Sequence, residues 1–164
     1  MKYKVFAVFL ILTSCSLFKG NPFKDHPCVN DKNKTQTIEW GYYLSESKDF
    51  YGFKLNTLGE IYLTSKDEID GNFIHKISFD EYCELNTELY KEILKTQTLN
   101  VPQDTNAYII IKNNKLNYFF RAAWDPKFET YGSEGFRNIW KSLNSKISQD
   151  TVKNKIKYKF EFNG

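Results

Sequence analysis

Histidine is almost missing from this chain: only His26 and His75 occur among 164 residues. A histidine-based catalytic triad would have to rest on His75, and no Gly-x-Ser-x-Gly turn accompanies it. Cysteine is nearly as scarce, with Cys15, Cys28 and Cys83. A zinc site takes roughly three or four Cys, His or carboxylate ligands in suitable groups, and no such grouping occurs. The eight glycines form no phosphate-cradling loop. No apolar run exceeds residues 5–12, against the roughly 20 residues needed to cross a membrane. No internal repeat appears at any solenoid period. Carboxylates remain, but their pattern places them in turns or on the wet side of a helix. Asp67, Glu68, Asp70, Gly71 and Asn72 invite a calcium-loop reading. With Gly71 at the glycine position, Lys66 and Ile77 fall where acids belong, so a solvated turn is expected. The expectation is a non-enzyme with no cofactor and no metal.

Aromatic residues are abundant: 17% of the chain, with 14 Phe, 11 Tyr and 3 Trp. Such a composition favours strands and argues against disorder. Residues 38–44 are apolar enough for a strand. Residues 50–55 alternate, with Tyr51, Phe53 and Leu55 set against Gly52 and Lys54. A turn at 56–59 leads to a return strand over 60–64, and residues 73–77 add a short fourth strand. Ser78 and Glu81 form a capping box that opens a helix to about residue 95. Its apolar arc holds Phe79, Tyr82, Cys83, Leu85, Leu89, Tyr90, Ile93 and Leu94, with Asn86 in the middle. A buried amide there must find partners or cost about 1–3 kcal/mol.

Tyr108, Ile109, Ile110 and Ile111 predict a central strand. Asn113-Asn114 offers a two-residue turn, and residues 116–123 return. A second helix is expected over 133–147, with Phe136, Ile139, Trp140, Leu143 and Ile147 as its buried stripe. Residues 155–162 alternate strictly, with lysines on one side, and predict a last, edge-protected strand. The fold class is therefore α+β: an antiparallel sheet of about five to seven strands with two amphipathic helices packed on one face.

The first residues divide differently. Lys2 and Lys4 precede the apolar run, and Leu12-Thr13-Ser14-Cys15 follows, the order of an export signal. This ending resembles the lipobox of bacterial lipoproteins, with leucine three positions before the cysteine. The resemblance covers only the first fifteen residues. It implies cleavage before Cys15, diacylation of its sulfur and acylation of the new amine. It also implies an anchor in the cell-envelope membrane through those acyl chains, since two or more chains hold firmly. Ser16 is not the aspartate that resembles an inner-membrane retention signal, so the outer membrane facing the periplasm is expected. Removing Lys2 and Lys4 lowers the formal charge from +3 to +1. Nucleic-acid binding therefore has no support in charge.

The expected organisation is a signal peptide at 1–14, a lipid-anchored tether at 15–37 and one α+β domain at 38–164. In an oxidising compartment Cys28 and Cys83 either bridge, or Cys83 remains a buried core thiol. The functional expectation is a non-catalytic protein-binding module. Small lipoproteins of this kind resemble immunity or inhibitor proteins. The alternatives are a structural or assembly factor of the envelope and a small-ligand carrier. The expected interaction loop comprises Trp124, Asp125, Phe128, Glu129 and Tyr131, because clustered aromatics suit an interface. The competing possibility is that these rings fold back on the core.

Overall fold

Strict alternation of side chains is what lets one strand serve two environments. The computed structural model describes residues 28–65, 71–96, 98–101 and 103–147. Within these, β1 (Thr37–Leu44), β2 (Phe50–Asn56), β3 (Glu60–Ser65) and β4 (Phe73–Lys76) form an antiparallel meander. Helix α1 (Phe79–Thr96) and the short β5 (Leu99–Asn100) follow. The hairpin of β6 (Thr105–Asn113) and β7 (Tyr118–Trp124) comes next, and then α2 (Glu134–Ser145). The sheet runs β4-β3-β2-β1-β6-β7-β5, with β1 and β6 paired at its centre. It is antiparallel except where β5 pairs parallel to β7. The α+β architecture read from the sequence is thus the one observed, with seven strands among the described residues.

One face of the sheet is packed shut. Ile38 and Trp40 of β1, Phe53 and Leu55 of β2, and Ile109 and Ile111 of β6 are buried beneath the helices. Against them lie Tyr82, Leu85 and Leu89 of α1, and Phe136, Ile139 and Leu143 of α2. Each such side chain contributes about 1.5–3 kcal/mol when fully buried. The indole N–H of Trp40 donates to Asn144 Oδ1 at 2.9 Å, so the largest core ring is also satisfied as a donor. Leu94 departs from the expected arc. It is 79% exposed, because the last turn of α1 extends past the sheet-facing stripe.

The capping box at α1 is present as predicted. Ser78 N–H donates to Glu81 Oε2 at 2.9 Å, and Glu81 N–H donates to Ser78 Oγ at 3.2 Å. Asn86, the anomaly in the apolar arc, accepts from Gln36 Nε2 at 2.7 Å. Gln36 Oε1 accepts in turn from the Tyr90 hydroxyl at 2.7 Å, and Tyr82 lies at 3.4 Å from Nε2.

Several boundaries move. The residues expected as tether are, from residue 28 onward, part of the packed structure. Val29 and Gln36 are buried, and Cys28 is disulfide-bonded to Cys83 with Cα atoms 5.4 Å apart. Asn113 Nδ2 holds the Lys32 carbonyl at 3.0 Å, and Thr57 Oγ1 holds that of Lys34 at 2.8 Å. These bonds tie the segment to two hairpin ends. The expected two-residue turn at Asn113-Asn114 is instead a 3₁₀ turn over Asn114–Leu116, closed by Asn117 in the left-handed region. Asn113 stays in β6, and its buried Oδ1 accepts from the Lys115 and Leu116 amides. β5, only two residues long, has no counterpart among the expected strands. The predicted strand at 155–162, the first part of the tether and most of the polar loop before Gly71 lie outside the described residues.

Two outcomes follow from these contacts. Reducing the disulfide, or replacing both cysteines by serine, should destabilise by up to about 4 kcal/mol, the entropy of closing a loop of that length. Denaturant titrations with and without reductant measure it, and a native protein with two titratable thiols besides Cys15 would contradict the bridge. Glu81 is held down to about 2 by Lys146, whose Nζ lies 2.7 Å away, and by the Ser78 amide and hydroxyl. Its stabilisation is complete above the ordinary carboxyl value of 4.5 and is lost as pH falls towards 2. With the carboxylate 39% exposed, solvent screening limits its worth to about 1 kcal/mol. Glu81→Gln should therefore lose about that much at pH 7 and reduce the acid slope of stability in that window.

Candidate functional site

The face of the sheet turned away from the helices carries the residues that alternate with the core. Its central row crosses four strands in register: Lys54 of β2, Glu39 of β1, Ile110 of β6 and Arg121 of β7. Tyr62 of β3 continues the row beyond Lys54. The next row reads Gly52, Gly41, Tyr108 and Ala123. The row on the other side holds Asn56, Thr37, Lys112 and Phe119. Around Tyr108 and Ile110 the middle of this face is hollowed into a groove of about 540 Å³. Tyr43 and Phe50 wall its far end.

The hollow depends on the paired glycines. A Cβ on Gly41 would collide with the Tyr51 carbonyl oxygen, and one on Gly52 would meet the Trp40 carbonyl and the Tyr108 hydroxyl. Tyr108 therefore lies flat across the two strands with its hydroxyl over Gly52. Although it faces the open side it is only 6% exposed. Burial raises its pKa above the ordinary tyrosine value, Glu39 adds to the rise and Arg121 opposes it. The hydroxyl stays protonated well into the alkaline range.

The charges around the groove are unevenly used. Glu39 gives both carboxylate oxygens to Lys112 Nζ, at 3.0 and 2.8 Å. Lys54 Nζ sits 5.8 Å from the centre of the Tyr62 ring. Arg121 is exposed and makes no ion pair among the described residues. Three cations thus surround one carboxylate, which a single lysine already neutralises. Phe119 projects from the same face at 61% exposure. An apolar floor with a cationic rim can seat apolar side chains beside negative groups. Among the described residues no group of three or more His, Cys, Asp or Glu is placed to hold a metal ion.

The loop expected to form the interface divides in two. Trp124 is corrected: it is the last residue of β7, 4% exposed, packed beside Phe136 with ring centroids 6.5 Å apart. Its place in the alternation of Phe120 and Ala122 sends it to the core, although Asp125-Pro126 follows directly. Asp125 Oδ1 accepts from the Lys127 amide at 2.8 Å and shapes the turn. Phe128 and Tyr131 do project, at 66% and 85% exposure. Glu129 lies 3.7 Å from Arg137, and Lys95 Nζ stands 5.8 Å from the Tyr131 ring centre. Phe128, Glu129 and Tyr131 therefore remain on the surface. Cys15, the expected lipidation site, lies outside the described residues, whereas Cys28 and Cys83 are joined.

The sequence reading missed the open face because it treated residues 108–111 as apolar on both sides. The signal was present in the pairing of alternations: Glu39 and Lys54 share a parity with Gly41 and Gly52. A second groove between the helices, of about 400 Å³, is lined by Glu88, Lys91, Glu92, Lys95 and Asn138. Within it Lys95 pairs with Glu92 at 3.7 Å.

Filling the hollow should be costly. Gly52→Ala places a methyl against the Trp40 carbonyl and the Tyr108 hydroxyl, and overpacking of this kind costs about 1–3 kcal/mol. Thermal melts of the variant check this, and an unchanged melting temperature would mean Tyr108 does not rest on Gly52. No known family model matches this chain, and no curated protein matches it.

Proposed function

We propose that this chain is a non-catalytic protein-binding module of a bacterial cell envelope, anchored by lipid on Cys15, which docks its partner on the open face of the sheet. The observation that carries the reading is the contrast between the two faces. One is filled by Trp40, Phe53 and Ile109 under both helices; the other is uncovered among the described residues and hollowed over Tyr108. Exposed apolar and aromatic surface rimmed by polar groups is what interaction sites present, and aromatics and arginine are enriched in them. Ile110, Tyr43, Phe50, Phe119 and Arg121 supply those types on strands rather than on loops. Rigid strands need little ordering on binding, which favours affinity. An inhibitor or immunity role is consistent with such a preformed face on a disulfide-braced domain.

A scaffold in envelope assembly is the second reading, favoured by the separate exposed set of Leu94, Phe128 and Tyr131. A scaffold needs two surfaces, whereas an inhibitor needs one.

The anchor and the face are tested together with the full chain expressed in bacteria. Wild type should fractionate with membranes and Cys15→Ala with the soluble proteins. The Cys15→Ala form should then enrich a defined envelope or toxin protein from extracts. Adding Phe119→Asp should cut that enrichment at least about tenfold at unchanged melting temperature. Membrane retention of Cys15→Ala would refute the anchor. Capture indifferent to Phe119→Asp but lost in Phe128→Asp with Tyr131→Asp would move the site to the loop and favour the scaffold.

A further inference from the structure

The central row of the open face also has a direction. Lys54 and Arg121 stand at its two ends, on β2 and β7, with Glu39 and Ile110 between them. Neighbouring strands lie about 4.8 Å apart, so three spacings put the two cations about 14 Å apart along the row. Glu39 is already held by Lys112, at 3.0 and 2.8 Å. Arg121 has no ionic partner among the described residues, and Lys54 has only the face of Tyr62. The row therefore reads cation, neutralised carboxylate, apolar side chain, cation.

We propose that the groove recognises an extended acidic segment of a partner protein that crosses the strands, with carboxylates four residues apart and an apolar residue midway. This deepens the protein-binding reading above and rests on it. An extended chain advances about 3.4 Å per residue, so residues i and i+4 are separated by about 14 Å, and i, i+2 and i+4 face the same way. The two outer side chains reach Lys54 and Arg121 together. The middle one descends onto Ile110 beside Glu39, where Lys112 is already taken and a third carboxylate would find no free cation. The hollow over Tyr108, whose hydroxyl lies down over Gly52, gives that middle side chain its depth. A membrane surface matches less well. Its phosphates form an unbroken anionic layer, whereas the row offers free cations only at its two ends, Glu39 and Lys112 cancelling between them.

The test uses full-length Cys15→Ala protein and a fluorescein-labelled peptide with the core Glu-Thr-Ile-Thr-Glu between glycine pairs. Fluorescence anisotropy should show binding that weakens as salt rises. Exposed ion pairs are worth up to about 1 kcal/mol each, so Lys54→Gln and Arg121→Gln should each weaken binding about threefold and together about tenfold. The peptide with both Glu replaced by Gln should bind the unaltered protein about tenfold more weakly. Lys91→Gln, on the opposite side of the molecule, should change nothing, and melting curves confirm that each variant is folded. Equal affinity for the Glu and Gln peptides would overturn the charge recognition while leaving the open-face docking site standing. Absence of any peptide binding would overturn the proposal as well, and partner capture that still depends on Phe119 would show that the broader reading survives it. Vesicles of equal phosphatidylglycerol and phosphatidylcholine are the remaining arm. If they bind and Lys54→Gln with Arg121→Gln releases them, the cations belong to a lipid surface and the peptide proposal is wrong.

Discussion

A primary amide buried in hydrocarbon must have its donors and its acceptor answered, and Gln36 meets that demand from a single helix. Its side chain meets Tyr82, Asn86 and Tyr90, which stand one turn apart on α1. Losing one partner would leave a buried polar group at a cost of about 1–3 kcal/mol. The helix therefore cannot rotate or slide by a residue without breaking several bonds at once. That fixed seat brings Cys83 to Cys28 and sets Glu81 opposite Lys146 of the region closing α2. Glu92 then lays its carboxylate against Gly135 at the other end of the helix pair, in the space a side chain there would otherwise take. Both helices are thereby committed to one side of the sheet, and among the described residues nothing covers the other side.

Most of the fold was legible because alternation and helical spacing are dictated by burial. β1 to β3, α1 and α2 begin and end within about two residues of where their apolar patterns do. Asn86 announced a polar partner without naming it. That partner, Gln36, sits in a polar run whose composition resembles a flexible linker, and nothing local marks it as buried. β5 was illegible because two residues carry no period. Trp124 was misplaced because the Asp125-Pro126 break was given more weight than the alternation running through Phe120 and Ala122.

The candidate site was less legible than the fold. For the loop residues Phe128 and Tyr131 the sequence left open whether the rings project or fold back on the core, and both project. The groove was not foreseen, since it exists only when four strands stand side by side. Neighbours in the central row, Lys54 and Glu39, Glu39 and Ile110, Ile110 and Arg121, lie 15, 71 and 11 positions apart in sequence, and only strand pairing brings them side by side. The edges of the sheet point the same way. β4 has four residues and β5 two, so neither offers a long ladder to another chain. Association through the face is the geometry the sheet leaves available.

The pairing of β1 with β6 has a consequence for how the chain assembles. It joins Leu44 to Thr105 and Thr37 to Lys112, the most distant partners in the sheet. The pairings within β1 to β4, and that of β6 with β7, are all between near neighbours. Local contacts cost less loop entropy and form faster than distant ones. The molecule is thus two hairpin-built halves zipped along a late central seam. Cys28 and Cys83 both belong to the first half, so the covalent clasp can close before the second half docks. The groove straddles the seam, with Glu39 and Lys54 on one side and Ile110 and Arg121 on the other, so neither half carries it alone.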